Sequence, residues 1–388
     1  MPSLRLPTET GGLESFSMSP ASPFPARVEG AFPRIVYAAA HVVADPRAGA
    51  DPWARQPVDW DRTLAFRHRL WDLGFKIAEA MDTAQRGMGL DWTGAQELIA
   101  RALKEAKARP GADLACGAGT DHLDPAAART LGDVIGAYEE QIGFVEKHGG
   151  RVVLMASRAL ARIARGPDDY ARVYDRLLSQ TREPVILHWL GAMFDAQLAG
   201  YWGADDFDGA MSGVLDMIAR HQQRIDGIKI SLLDESKEVA MRRRLPAGVR
   251  MYTGDDFNYA ELIAGDGAHH SHGLLGIFDS IAPAAAAALV RLGAGDRAGY
   301  DAILAPTVPL SRKIFEAPTQ YYKAGIVFLA WLNGCQDHFV MLGAMQSARA
   351  ILHYADVFRL ADQAALIADP ELARRRMKAL LETYGIEG

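Results

Sequence analysis

Eight short apolar runs, each followed by a segment of helical periodicity, limit the possible folds of this chain more than any other feature. The runs are Arg34–Ala39, Phe75–Ala80, Asp113–Cys116, Arg151–Ala156, Val185–Trp189, Gly227–Ser231, Arg250–Thr253 and Leu274–Phe278. Bounded by turn residues, they read as buried strands. Helical patterns follow at Asp61–Leu73, Thr93–Ala108, Leu131–Lys147, Asp168–Gln180, Asp208–Arg220, Glu235–Leu245, Phe257–Ala264 and Ala282–Leu292. Such alternation pairs strands in parallel through βαβ crossovers, and eight units fit a closed (β/α)8 TIM barrel. The barrel is expected over residues 31–295. An open doubly wound sheet is the alternative, but His41-Val42-Val43-Ala44 stands where it would carry a Gly-rich phosphate turn.

Residues 1–30, rich in Pro, Ser and Gly, read as a flexible or loosely docked leader. Residues 296–388 read as a C-terminal helical extension: Ala298–Phe315, Tyr321–Leu332, Phe339–Tyr354 and Pro370–Leu381, with Pro306, Pro309 and Pro318 as kinks or breaks. Trp331 and Tyr321-Tyr322 look like exposed aromatics, so a homo-oligomer is expected with this surface buried.

With 49% apolar residues the 388-residue chain can bury a large core. No apolar run reaches the ~18 residues of a membrane helix, and no basic-then-apolar export signal is visible. Cys116 and Cys335, far apart, read as two reduced thiols of a cytoplasmic protein. A net charge of −6 and a pI near 6.0 argue against nucleic acid as a partner.

One strand carries a lysine. In Gly227-Ile228-Lys229-Ile230-Ser231 the two isoleucines share one face, and Gly227, Lys229 and Ser231 share the other. Lys229 faces outward, or inward in a structural salt bridge, or inward as a reactive group. The third reading has a mechanism. Burial disfavours the ammonium form, frees the amine as a nucleophile, and lets it form a Schiff base that serves as an electron sink. The C-terminal end of a barrel strand is the place for such a residue.

These residues resemble the dihydrodipicolinate synthase and N-acetylneuraminate lyase superfamily of class I aldolase barrels. Gly227-Ile228-Lys229 resembles its Schiff-base strand. Val185–Trp189 resembles the strand that carries a catalytic tyrosine, Gly254-Asp255-Asp256 a Ser-Gly-Asp-Asp run, and Gly117-Ala118-Gly119-Thr120 a Gly-Thr-Gly run. More closely, the chain resembles a bacterial family of unassigned function attached to that superfamily. The resemblance implies a lyase that binds a small carbonyl substrate through Lys229 and needs no cofactor.

The departures matter as much. His188 stands at the tyrosine position, where it could still relay protons. Ser157-Arg158 replaces a second tyrosine. In the loop that binds pyruvate in the family, Asp82-Thr83-Ala84-Gln85-Arg86 replaces adjacent threonines. Asp82 would repel a carboxylate unless Arg86 offsets it, so condensation of pyruvate with aspartate semialdehyde is not expected. Asp82, Thr83, Asp121, His122, Asp255, Asp256 and His270 are expected to bind substrate hydroxyls, which suits a sugar-derived carbonyl and a role in carbohydrate metabolism. Two alternatives stay open. A divalent metal held by Glu79, Asp82, His122 and His188 would make the protein a sugar isomerase or epimerase. A barrel without catalysis would be a binding protein.

Overall fold

The computed structural model describes residues 2–49, 51 and 57–387. Its strands are β1 (Ser3–Pro7), β2 (Leu13–Ser17), β3 (Val36–Ala39), β4 (Lys76–Glu79), β5 (Leu114–Ala118), β6 (Arg151–Leu154), β7 (Val185–Leu190), β8 (Ile225–Ser231), β9 (Arg250–Thr253) and β10 (His272–Leu275). Strands β3 to β10 form a closed parallel barrel in sequence order, with β10 pairing back onto β3. The fold is a (β/α)8 TIM barrel with C-terminal helices.

The chain divides into two compact units that do not follow the expected boundaries. The barrel unit holds residues 34–40 and 76–275, and the second unit holds residues 1–33, 41–75 and 276–388. Helices Trp60–Asp72 and Ala282–Gly293, expected as parts of the barrel, thus group with the terminal segments.

In the barrel unit, inward-facing Tyr37, Ala39, Ala78, Ala115, Val153, Met155, Ile186, Tyr252 and Leu274 make one buried cluster. Small residues on β3 to β5 leave room for the two tyrosine rings, which meet edge to face at 6.0 Å. An ionic girdle lies at the N-terminal ends of the strands. Asp226 accepts from Tyr252 Oη (2.6 Å), Arg151 (3.3 Å) and Arg250, while Asp113 pairs with Lys76. Several helices start on capping side chains, among them Asp91, Thr130 (in a capping box with Asp133), Asp206 and Asp234.

Two readings of the strands and helices are corrected. The last strand is His272–Leu275, and Ile277–Ser280 is helical, so the expected strand Leu274–Phe278 sits too late. A short helix, Arg158–Ile163, also precedes Pro167–Leu178; its six residues are too few to show a period.

In the second unit the segment expected as a loose leader is an antiparallel hairpin, β1–β2, with Leu4, Leu6 and Met18 buried. Ser19 N–H donates to both Asp362 oxygens (3.0 and 3.1 Å), its hydroxyl donates to Oδ2 (2.8 Å), and Arg359 donates to the Pro7 carbonyl. The expected helix Ala298–Phe315 is two helices, Arg297–Leu304 and Thr307–Ile314, divided at Pro306. The expected Phe339–Tyr354 begins instead with a 3-10 segment, Leu342–Ser347. Within it Gly343 and Ala344 take positive φ, and the true helix is Ile351–Gln363. Trp331 stacks on Phe339 and Tyr322 on Phe315, both buried within the chain. The exposed aromatic patch on which an oligomer surface was expected therefore does not form from these two rings.

Candidate active site

The register of the sheet decides where Lys229 points. Lys229 on β8 pairs with His188 on β7 and Tyr252 on β9. Paired residues of a parallel sheet share a face, and Tyr252 belongs to the lumen cluster. A side chain at Gly227 would come within 2.7 Å of the Tyr252 ring, so that face of β8 is inward too. Lys229 therefore lies in the lumen toward the C-terminal end of its strand, 7% exposed. Among the described residues its ammonium forms no ion pair or hydrogen bond. The outward and salt-bridged readings fall away.

Burial pulls the Lys229 ammonium below its ordinary range, and the carboxylates of Asp82 and Asp256 oppose that shift. His188 is also buried, and burial, followed by the Lys229 charge, holds it well below the usual histidine range, as a neutral ring. Its Nε2 lies 3.3 Å from Ser231 Oγ, and its Nδ1 has no partner among the described residues.

His188 opens onto a cleft at the barrel mouth, whose wall includes Asp82, Arg86, Thr120, Asp121, Arg158 and Asp195. The Asp82 carboxylate has no hydrogen-bond or ion-pair partner among the described residues. Arg86 is fully committed. It forms a fork with Asp121 (2.9 and 2.8 Å), donates to the Ala80 and Gly117 carbonyls, and bonds Gln141. That guanidinium holds Asp121 below the ordinary carboxylate range despite its burial, and it is not available to offset Asp82.

Several expected ligands lie elsewhere. Thr83 is buried and does not line the cleft. Asp255 is used by its own turn, accepting from Phe257 N–H and from both nitrogens of Asn258. Asp256 is buried within electrostatic reach of Lys229. His122 is held by Gln141 and Glu140 and does not line the cleft. His270 precedes β10, and in a parallel barrel a loop that precedes a strand lies at the N-terminal end, away from the cleft. Glu79 follows lumen-facing Ala78 and so points out of the lumen, buried, toward Cys116. The proposed metal set of Glu79, Asp82, His122 and His188 is thus dispersed. Among the described residues no group of three or more His, Cys, Asp or Glu is arranged to hold a metal ion.

The sequence reading missed a hydrogen-bonded chain beside the cleft. Thr120 Oγ1 lies 2.6 Å from Ser157 Oγ, Ser157 N–H donates to Tyr201 Oη (3.0 Å), and Tyr201 Oη lies 3.0 Å from Tyr174 Oη. Arg158, paired with Asp195 on the same wall, was missed as a cation. Both follow strands, the one cue that could have found them.

The barrel fold is similar to solved structures of the dihydrodipicolinate synthase family. The fold matches a candidate dihydrodipicolinate synthetase from Pseudomonas aeruginosa (16% identity, TM-score 0.64, covering 85% of this chain and 99% of the other). It also matches YagE from Escherichia coli K12, a dihydrodipicolinic acid synthase family protein solved with pyruvate (13%, 0.62, 92% and 100%). A third match is the chloride-inhibited dihydrodipicolinate synthase of Acinetobacter baumannii, complexed with pyruvate (16%, 0.62, 86% and 99%). No curated protein matches the chain in sequence. The chain belongs to the family described as "Protein of unknown function (DUF993)", whose model matches residues 4–386. Among the described residues no helix is long and apolar enough to cross a membrane.

Proposed function

We propose that the protein is a class I aldolase-type lyase acting on a small, polyhydroxylated carbonyl compound. The observation that carries this is a lumen lysine whose ammonium forms no direct ion pair, beside a neutral histidine that opens onto the cleft. Lys229 Nζ adds to the substrate carbonyl carbon, the oxygen leaves as water, and an imine remains. His188 Nδ1 accepts a proton from the hydroxyl β to the imine carbon. The bond between the α and β carbons breaks, its electrons enter the imine to give an enamine, and the β carbon departs as an aldehyde. Protonation of the enamine and hydrolysis of the imine restore Lys229.

The Asp82 carboxylate, unpartnered on the cleft wall, accepts from substrate hydroxyls. Its charge disfavours a carboxylate at that point, which supports a sugar-derived substrate over pyruvate. The paired Arg158 does not offset it, because Asp195 already neutralises that guanidinium.

Borohydride reduction in the presence of a panel of keto-sugars tests the reading. Covalent mass at Lys229, absent in Lys229→Ala, supports it. Turnover that survives Lys229→Ala but stops on chelation would replace it with a metal-dependent isomerase. His188→Phe should keep the trapping and lower turnover by roughly 10²–10⁴.

A further inference from the structure

The second unit contains a polar site apart from the barrel chemistry. Asp279, 4% exposed, is held on one side only: its Oδ2 accepts from the His41 backbone N–H (2.8 Å) and faces His41 Nδ1 (2.8 Å). The His41 ring is fixed in turn by Gln336 (3.2 Å). Asp279 Oδ1 and the neighbouring Ser280 Oγ, both buried atoms, have no hydrogen-bond partner among the described residues. A buried carboxylate oxygen left unpaired is costly, and native structures keep few such atoms.

Both residues line a cavity of about 270 Å3, room for a small organic ligand. The same wall carries Arg69, which forms no ion pair among the described residues. Phe24, Phe66 and Leu329 supply an apolar surface between these polar groups. An unpaired acceptor, an unpaired guanidinium and an apolar wall together specify a ligand. We infer that this cavity binds a carboxylic acid that carries an apolar side chain and a hydrogen-bond donor on the carbon next to the carboxylate. Its carboxylate pairs with Arg69, its donor goes to Asp279 Oδ1 and Ser280 Oγ, and its side chain packs on the phenylalanines. An α-amino acid and an α-hydroxy acid share this chemistry.

Calorimetric titration of the full chain separates the possibilities with four probes: L-phenylalanine, L-phenyllactate, phenethylamine and phenylpropionate. The amino acid or the hydroxy acid should bind roughly tenfold or more tightly than the two probes that each lack one polar group. Whichever of the first two binds identifies the donor as ammonium or hydroxyl. Arg69→Met should weaken the tighter ligand by a similar factor and leave phenethylamine unchanged; Ser280→Ala should weaken the tighter ligand also. If Arg69→Met does not fold, Ser280→Ala alone decides. The inference is overturned if no probe binds at millimolar concentration, if a monofunctional probe binds as tightly, or if the folded variants bind like the parent. None of these outcomes depends on Lys229 chemistry.

Discussion

Gly254 sits where β9 ends, and its missing side chain makes room for the lysine. A Cβ there would lie 2.2 Å from Ser231 Oγ, 2.5 Å from Lys229 Cε and 2.8 Å from the Ile230 carbonyl. Gly254→Ala should therefore displace Lys229 and abolish borohydride trapping, while costing about 1–3 kcal/mol of stability from overpacking; trapping at the parental rate would refute this. His188 makes a pH prediction. Its folded pKa lies below its unfolded value near 6.5, so its contribution to stability is intact above about pH 6.5 and is lost as pH falls below it. Urea unfolding at pH 7.5 and 5 should show that His188→Phe loses less stability on acidification than the parent. Lys229 and His188 were legible because a strand has a period of two, and either residue, once placed, declares its face. Asp255 and His270 were not. Charge and polarity do not reveal that a carboxylate is used up by its own turn, or which end of the barrel a loop occupies.

Among the elements, the loops after β4 and β5 depend on one side chain. Arg86 joins Asp121, Gln141 and two carbonyls, and its guanidinium lies over the Trp92 ring at 4.9 Å. Arg86→Met should cost about 3–5 kcal/mol, because Asp121 and the carbonyls lose their shared donor; a denaturation midpoint near the parent's would show that water replaces it at no cost. Sequence periodicity found the strands and the long amphipathic helices, since burial on one face imposes it. It failed where that link is absent. The apolar run around Gly276 suits a strand or a helix equally, and the two positive-φ residues at 343 and 344 leave no mark on hydrophobic spacing. Helix Tyr322–Leu332, buried on all sides, only looked like an exposed surface.

For the molecule as a whole, the hairpin that ends near Ser19 is tied to a helix far along the chain. Asp362→Ala removes three hydrogen bonds to Ser19 and should cost about 1–3 kcal/mol. Limited proteolysis should then cleave within residues 1–18 sooner than in the parent; equal rates would mean that the apolar contacts of Leu4 and Leu6 suffice. The same tie sets an order of events during synthesis. Ser19 and Asp362 are 343 positions apart, so the hairpin leaves the ribosome early and its partners leave late. Every barrel strand has been made by residue 275, before either Arg359 or Asp362 exists. The strands can therefore pair while residues 2–33 still lack the later-made partners that hold them.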